Sequence, residues 1–224
     1  PRRCRPDWAV PPGRPLRDCM RASAHELPII AERLDINVWE LIALATRHPR
    51  VNILQPGPGV GGHCIAVDPW FIVSETPELA RLIRAAREVN SGKPDWVVEK
   101  IKVAVGEFLQ AHPDKRAGDV TIACFGLAFK PDIDDLRESP ALDIATRVAA
   151  EHPGPLLAVE PNIKTLPPAL AEQGARLAQP DDALANADII VALVAHRPFT
   201  RLPANALDGK RVVDACGLWR PPAS

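Results

Sequence analysis

Residues 120–129 read VTIACFGLAF, an almost unbroken apolar run with the length of a buried strand. Three similar runs follow, and Ser139-Pro140, a favoured helix cap and first helical residue, opens a helical stretch after the first. Buried strands that alternate with helices are typical of a parallel sheet covered on both faces. We therefore predict the α/β fold class for residues 116–220, a small Rossmann-like domain that binds ligands at the carboxyl ends of its strands. The further runs are LLAVEP (156–161), ADIIVALVA (187–195) and RVVDAC (211–216).

The sequence before this domain has the periodicity of helices. Apolar residues recur at helical spacing, and Asn37 with Glu40 resembles a capping box that opens a second helix. A longer helical pattern follows, and its Gly-Lys-Pro segment at residues 92–94 is expected to kink or break it. Residues 21–115 are accordingly predicted to form an all-helical domain.

The first residues of the chain have a different composition. Residues 1–15 contain five prolines and four arginines. Because proline lacks the backbone N–H that a helix interior needs, this composition predicts no helix. Amphipathic sequence begins only after Met20. We interpret residues 1–20 as a disordered leader that is not native to the rest of the chain.

The composition excludes several classes of protein. The chain is 46% hydrophobic and 25% charged with a net charge of -1, which predicts neither nucleic acid nor a membrane surface as partner. No apolar run approaches the roughly eighteen residues of a membrane span. The five cysteines are odd in number and form no CxxC pair, so we predict no disulfide framework and no metal site. These features favour a reducing, cytoplasmic location.

A glycine-rich segment with a reactive residue type lies in the helical domain, where Gln55 to Phe71 reads QPGPGVGGHCIAVDPWF. Its glycines let the backbone approach a ligand closely and expose N–H donors. If a helix begins near Cys64, its N-terminal field favours the thiolate, and Asp68 lies one turn away. A nucleophile beside amide donors suits acyl chemistry, whereas a small buried cysteine beside turn-forming glycines is the alternative. The glycines are Gly57, Gly59, Gly61 and Gly62.

Two cations, Lys130 and Arg137, lie in the segment FGLAFKPDIDDLRESP (125–140), after the first predicted strand. A basic loop at the carboxyl end of a strand suits a diphosphate. The alternative is a solvated loop in which neighbouring carboxylates neutralise both cations, and spacing alone favours that alternative. The carboxylates are Asp132, Asp134, Asp135 and Glu138.

Three segments resemble the UDP-glucose/GDP-mannose dehydrogenase family: residues 36–73, residues 124–141 (CFGLAFKPDIDDLRESPA) and, more weakly, residues 211–220. The resemblance covers residues 26–220. It implies an enzyme that oxidises the C6 alcohol of a UDP-sugar to a carboxylate with two NAD, through a thiohemiacetal and a thioester on a cysteine. UDP-N-acetylmannosamine is the expected substrate, with UDP-N-acetylglucosamine and UDP-glucose as alternatives.

The resemblance also implies roles for the residues of these segments. Cys64 is the nucleophile, Asp68 positions or activates the water, and the backbone of residues 59–62 lines the sugar pocket. Lys130 contacts the UDP-sugar, and Arg137 reaches the NAD that another domain holds. The Rossmann-like domain carries no GxGxxG fingerprint, in agreement with a domain that binds UDP rather than NAD.

Weaker candidates lie outside these two segments or beside the cysteine. The resemblance implies that Arg50 reaches the UDP-sugar of a neighbouring subunit, and a solvated loop arginine is the alternative. Glu160, at the end of the second predicted strand, binds a ribose or is only solvated. His63 contacts the substrate or points away from it. The central helices form the dimer core of the family, so a homodimer is expected.

The sequence departs from the family pattern at several positions. A catalytic lysine and a catalytic asparagine of the family correspond to Val10 and Arg14, His25 replaces an asparagine, and Cys216 replaces a basic residue. The NAD-binding domain of the family has no counterpart ahead of residue 21. We expect that this chain alone does not turn over a UDP-sugar, and the alternative function is a UDP-binding dimer without chemistry.

Overall fold

The computed structural model describes residues 13–219, which form a helical part followed by an α/β part. The helical part consists of α1 (Gly13–Arg33), α2 (Val38–Ala45), α3 (Asp68–Glu75) and α4 (Arg81–Ala111). The α/β part consists of β1 (Ile122–Phe125), α5 (Pro140–Glu151), β2 (Leu156–Val159), α6 (Pro168–Ala171), β3 (Arg176–Leu177), α7 (Pro180–Asn186), β4 (Ile189–Ala192), α8 (Arg197–Thr200) and β5 (Arg211–Asp214). Short 3-10 helices lie at Ala117–Asp119 and Ala204–Leu207. Within the described range, no helix has the length and apolarity that crossing a bilayer requires.

Helix α1 begins at Gly13, so residues 13–20 are helical and the predicted disorder is wrong for them. Pro15 lies in the first turn, where backbone N–H groups have no intrahelical acceptor and a missing donor costs little. Asp18 is buried against α4, where it accepts a hydrogen bond from Arg87. Residues 1–12 of the predicted leader lie outside the described residues.

Helix α4 runs without interruption through Pro94, so the expected break at residues 92–94 is wrong. A proline in a helix interior removes one backbone hydrogen bond. The turns that follow are fully buried at Val97, Val98 and Ile101. Burial of this apolar face outweighs the lost hydrogen bond, because packing rather than propensity supplies most helical stability in proteins.

Both predicted N-cap residues are confirmed, but the capping box is not, since Glu40 Oε1 accepts from the side-chain amide of Asn37 at 3.4 Å and not from its backbone N–H. The Asn37 side chain accepts hydrogen bonds from the N–H groups of Trp39 and Glu40 at the start of α2. The Ser139 side chain accepts a hydrogen bond from the N–H of Leu142 at the start of α5. Each cap satisfies backbone donors that the helix itself cannot pair.

The five strands are all parallel and lie in the order β3-β2-β1-β4-β5, which confirms the Rossmann-like α/β prediction. Strands β1, β2 and β4 are buried at every position, as their continuous apolar runs predict. No sequence pattern predicted the two-residue edge strand β3. The direction of winding reverses at β1, which pairs with both β2 and β4, and a crevice is expected at the carboxyl ends there.

The second half of α4 belongs to the core of the α/β part. Val97 and Phe108 form one buried cluster with Ile122 of β1. The opposite face of the sheet carries a second cluster, in which Phe125 and Phe199 meet edge to face with ring centroids 5.1 Å apart. Helix α4 therefore contributes to both parts of the molecule, since Arg87 and Asn90 in its first half donate hydrogen bonds to Asp18 of α1.

Candidate functional site

The glycine-rich segment packs on the loop that follows β1. A Cβ added to Gly61 would lie 2.8 Å from the Cβ of Phe129 and 2.7 Å from the Cδ of Pro140, too close for a side chain. Gly62 has a φ of 83° and lies against the ring of Phe129. At these two positions the close approach is made by the protein's own loop. The glycines thus hold the helical part against the α/β part.

A cavity of about 350 Å³ lies at the carboxyl ends of β1, β4 and β5, and its size is within the range of small-molecule sites. The structure brings Gly59 and Lys130 together in its wall. Of the other predicted site residues, Arg50, Gly61, Gly62, Cys64, Asp68 and Arg137 do not line it. The residues that contribute most of the wall come from residues 55–59, the loop at 128–131, the start of α5 at 140–141, the loop at 193–195, and Cys216 with Gly217.

Arg21 of α1 also lines this cavity, and sequence reasoning missed it. Together with Lys130 and the N-terminus of the twelve-residue helix α5, it supplies positive electrostatic potential from three directions. Such a set suits a diphosphate. The only available signal was the continuation of the helical pattern upstream of residue 27, which would have placed Arg21 on a helix instead of beside a leader.

Cys64 lies exposed in a turn, and α3 begins at Asp68 rather than near Cys64, so the predicted helix start at the thiol is wrong by one turn. The N–H of Asp68 donates to the carbonyl oxygen of Cys64 at 2.9 Å, which keeps the two residues adjacent as predicted. The Asp68 carboxylate forms an ion pair with Arg14. That hydrogen bond raises the pKa of Arg14, and Coulombic attraction to Cys64 adds to the rise. The Arg14–Asp68 ion pair therefore lies beside the glycine-rich segment, at the turn that carries Cys64.

Arg137 is neutralised locally, which is the alternative that spacing favoured. Its side chain is 73% exposed, and its Nε and terminal nitrogen donate to Asp135 at 2.9 and 2.7 Å. These hydrogen bonds lower the pKa of Asp135 to about 2. Lys130 differs, because its ammonium lies over the ring of Phe129, 5.6 Å from the ring centroid. Arg50 lies on an exposed turn, away from the cavity.

A buried carboxylate–imidazole pair holds the loop that carries Lys130. Glu160 is 4% exposed, so it is neither solvated nor open to a ribose, and both predicted roles are wrong. Its Oε2 accepts hydrogen bonds from the N–H groups of residues 127–128 at 2.8 and 3.1 Å and from His196 Nε2 at 2.9 Å. The N–H of Asp132 donates to His196 Nδ1 at 2.9 Å, which places the imidazole hydrogen on Nε2. Both ends of the loop are thereby fixed.

This pair was invisible to sequence reasoning, because Glu160 and His196 follow different strands and meet only in the folded sheet. Burial by itself raises the pKa of Glu160, but the hydrogen bonds from His196 and from the backbone outweigh it and lower that pKa below its ordinary value. Asn162 completes the cluster by donating to the second carboxylate oxygen of Glu160 at 3.1 Å.

A second buried polar cluster lies between α1 and α4, behind the glycine-rich segment. Asp18 Oδ1 accepts hydrogen bonds from Arg87 at 2.7 Å and from Asn90 at 2.8 Å, and His25 Nδ1 donates to Asn90 Oδ1 at 2.9 Å. The Nε2 of His25 has no hydrogen-bond partner and lies 3.7 Å from where a Cβ on Gly57 would be. Burial lowers the pKa of His25 to about 3, and nearby positive charges contribute to the same shift.

The described residues form neither a metal site nor, by themselves, a site for NAD. In residues 13–219, no group of three or more His, Cys, Asp or Glu side chains could hold a metal ion. The turn after β1 has one glycine, Gly126, and a Cβ there would lie 2.9 Å from the backbone nitrogen of Val194. This turn therefore packs against the loop after β4 rather than around a phosphate. The described residues do not fit NAD by themselves.

Comparison with known proteins covers both parts of the chain. The central domain of the UDP-glucose/GDP-mannose dehydrogenase family is matched at residues 16–92, and its UDP binding domain is matched at residues 123–221. Because the central-domain match begins at residue 16, residues 16–20 belong to the family sequence, and their interpretation as foreign leader is wrong.

Three of the similar proteins are named as dehydrogenases of N-acetylated sugar nucleotides or their uronic acids. The chain is 61% identical over 204 residues to UDP-N-acetyl-D-mannosamine dehydrogenase of Salmonella typhi, covering 91% of this chain and 48% of that protein. It is 53% identical over 203 residues to NDP-N-acetyl-D-galactosaminuronic acid dehydrogenase of Ralstonia nicotianae, covering 91% and 45%. The structure of UDP-D-ManNAc dehydrogenase from Pyrococcus horikoshii matches with a TM-score of 0.76 at 29% identity, covering 94% and 47%. The chain thus spans about half the length of the curated relatives it matches. Since both matched domains are those of one family and together cover most of the described residues, the chain belongs to the UDP-glucose/GDP-mannose dehydrogenase family.

Proposed function

We propose that the chain supplies the thiol-bearing and UDP-sugar-binding half of an NAD-dependent UDP-N-acetyl-D-mannosamine 6-dehydrogenase. The observation that carries the proposal is the exposed Cys64 beside Asp68, joined by the glycine-rich segment to a cavity that contains Lys130. The relative of 61% identity favours this substrate, and the relative of 53% identity keeps other N-acetylated sugar nucleotides as alternatives.

In this proposal Cys64 acts on the carbon that is oxidised. Its sulfur adds to the C6 aldehyde, and the carbonyl oxygen takes up a proton, so that a thiohemiacetal forms. After a second two-electron oxidation the same carbon is a thioester, and water cleaves the carbon–sulfur bond to give the carboxylate and the free thiol. Asp68, one turn from the sulfur, orients that water and accepts its proton. NAD is proposed as the oxidant on the ground of the family alone.

The sugar nucleotide is proposed to bind in the cavity of about 350 Å³. Arg21 and Lys130 face its diphosphate, and the N-terminus of α5 adds the field of its backbone N–H groups. The Glu160–His196 pair keeps the Lys130 loop in the shape that this requires. We also propose a homodimer, in which Arg50 reaches the site of the second copy. We also propose a reducing compartment such as the cytoplasm, in agreement with four described cysteines that form no disulfide with one another.

A second candidate function is a UDP-binding dimer without chemistry. The ion pair between Arg14 and Asp68 favours it, because Arg14 stands where the family has a catalytic asparagine and engages the carboxylate that the hydrolysis step needs. Both functions include UDP binding, so UDP binding alone does not separate them. The state of the thiol does separate them.

The test is alkylation of Cys64 by iodoacetamide, followed by peptide mass spectrometry. We expect rapid modification, slowed about tenfold by UDP-N-acetylmannosamine at roughly ten times its Kd. Cys124 serves as an internal control, because burial raises the pKa of its thiol to about 12 and it should remain unmodified. Modification of Cys64 that the sugar nucleotide does not slow, although UDP itself binds, would favour the module without chemistry.

NADH formation by the chain with UDP-N-acetylmannosamine is the complementary measurement. We expect none, since the described residues do not fit NAD. NADH formation that disappears in Cys64→Ser would contradict this expectation and establish the dehydrogenase directly.

A further inference from the structure

A second cavity lies away from the proposed UDP-sugar site. It has a volume of about 390 Å³ and is enclosed by the second half of α1, the start of α2, the middle of α4 and the end of β5. Two indole rings, Trp39 and Trp96, form part of its wall. Most of the remaining wall is aliphatic, and Ile36, Val38, Val103 and Val213 are part of it.

Lys93 is the polar group that this cavity leaves unsatisfied. Its side chain lines the cavity, the residue is only 1% exposed, and its Nζ has no hydrogen-bond partner in the described part of the chain. The Nζ lies 3.5 Å from the ring centroid of Trp96, so the one favourable contact is a cation–π contact. Burial lowers the pKa of Lys93 to about 7. An ammonium in such a place needs an anion, because an unpaired buried charge is costly.

The carboxylates around the cavity are engaged elsewhere. Glu32 of α1 forms an ion pair with Lys100 of α4, on the rim. The Asp214 carboxylate accepts three backbone N–H bonds from the turn that follows β5. Glu107 of α4 lies 4.0 Å from Arg211. None of these groups pairs with the buried ammonium, although Glu32 attracts it from a distance.

A further titratable neighbour of Lys93 supplies no negative charge that could pair with its ammonium. His25 of α1 is buried, and repulsion between it and Lys93 contributes to its lowered pKa, so it stays neutral near pH 7. The cavity therefore combines one uncompensated cation, deep inside, with a flat aromatic and aliphatic wall. Its volume is within the range of small-molecule sites.

We propose that this cavity is a binding site for a small aromatic carboxylate, whose anionic group pairs with Lys93 Nζ and whose ring packs against Trp96 and the aliphatic wall. The charge supplies the specificity for an anion, and the apolar wall supplies the contact area. The site is separate from the sugar-nucleotide cavity, since the two share no lining residue.

The probe is benzoate, compared with benzamide, its uncharged analogue of nearly the same shape. Binding to the full chain is followed by ligand-detected NMR near pH 6, where both the carboxylate and Lys93 are charged, and the pKa of Lys93 is followed by its ε-carbon shift. We expect saturable benzoate binding, at least about tenfold weaker binding of benzamide, and a rise in the pKa of Lys93 when benzoate is present.

The variants are Lys93→Met, which keeps the length of the side chain without its charge, and Lys102→Met as the matched control, since Lys102 is an exposed lysine of the same helix that does not line the cavity. Lys93→Met should weaken benzoate at least about tenfold, and Lys102→Met should change it by less than about threefold. A cooperative urea transition verifies that each variant is folded.

Three results would overturn the proposal: benzoate that does not saturate, benzamide that binds equally well, or Lys93→Met that binds like the parent chain. A Lys93 signal that shifts with protein concentration but not with benzoate would also overturn it. In that case a second copy of the chain, rather than a small ligand, supplies the anion.

Discussion

The helical part and the α/β part differ in how completely each satisfies its own groups. Among the described residues, four of the five buried side-chain atoms without a hydrogen-bond partner lie in the helical part. Twelve of the thirteen large hydrophobic side chains that are exposed also lie there. In the α/β part, the Trp219 indole nitrogen is the one buried atom of this kind, and Val212 is the one exposed large hydrophobic residue, among the described residues.

This difference indicates that the α/β part, together with the second half of α4, satisfies its own buried groups and that the rest of the helical part does not. In the α/β part, Glu160 and His196 pair with each other and with backbone groups of the neighbouring loop. In the helical part, Asp18, His25 and Arg87 each keep one unpaired atom although they lie side by side. Large exposed apolar surfaces mark places where another surface binds. The homodimer proposed above would cover such a surface.

The largest effect is expected where the satisfied cluster is broken. Glu160→Ala removes the acceptor of five donors, and three of these donors are on the buried residues Leu127, Ala128 and His196, so the free energy of unfolding should fall by roughly 3–5 kcal/mol. Urea denaturation measures it. Asp134→Ala, which removes an exposed carboxylate from the same loop, is the control and should leave the transition almost unchanged. If both variants unfold alike, the buried cluster does not distinguish the α/β part.

Acid should act mainly on the helical part, through His25. Its pKa is about 3 in the folded chain and 6.5 in the unfolded chain, so the unfolded chain binds the extra proton between these values. Stability from this group is complete above pH 6.5 and is lost as the pH falls toward 3. We expect a loss of roughly 3 kcal/mol between pH 6.5 and pH 4 that His25→Asn lacks. Equal acid sensitivity of the two chains in urea titrations would contradict this.

The unpaired ammonium of the helical part gives a prediction of the opposite sign. The pKa of Lys93 is about 7 in the folded chain and 10.5 in the unfolded chain, so protonation favours unfolding. Lys93→Met should therefore stabilise the chain by roughly 2 kcal/mol near pH 6, after the lost cation–π contact is subtracted. The gain should shrink as the pH rises from 7 and vanish near 10.5. If the gain in stability does not depend on pH, its cause is the packing of the methionine side chain and not the removal of the buried charge.

The smallest effect on unfolding is expected at the exposed apolar surface. Leu82→Glu, on the first turn of α4, should change the free energy of unfolding of a single copy by less than about 0.5 kcal/mol. It should nevertheless weaken self-association in sedimentation equilibrium, because a charge then lies in the surface that a second copy covers. Val212→Glu adds the same charge to the α/β part and should leave association unchanged. A parent chain that sediments as a monomer would contradict the proposed dimer.

The parts of the fold that local sequence determines were predictable. Continuous apolar runs located β1, β2, β4 and β5, and local cap residues located the starts of α2 and α5. The edge strand β3 was not predictable, since its two residues are only partly buried and carry no pattern. The start of α1 was missed because prolines dominate the composition there, although Pro15 occupies a position where proline is tolerated.

The candidate site was only partly predictable for a related reason. Gly59 and Lys130 reach one cavity because the winding of the sheet brings their segments together, as the carboxyl-end rule predicts. Arg21, the Glu160–His196 pair and the buried Lys93 depend on contacts between residues far apart in sequence, which spacing cannot reveal. The neutralisation of Arg137 was predictable as an alternative, because Asp135 lies only two residues away.

Because helix α4 is shared by the two parts, it determines which segments of the molecule unfold together. Its second half, from Val97 to Phe108, is built into the same buried cluster as the sheet, and its first half is bound to α1 through the hydrogen bonds of Arg87 and Asn90 to Asp18. The border between the two parts therefore runs through the interior of a helix near Pro94, not through the loop that precedes β1. Cleavage of the chain at residue 115, by a protease or by truncation of the gene, would separate the sheet from the half-helix that covers one of its faces. The amide hydrogens of residues 97–108 should exchange with water as slowly as those of the strands, because this half of the helix and the sheet open as one cooperative unit.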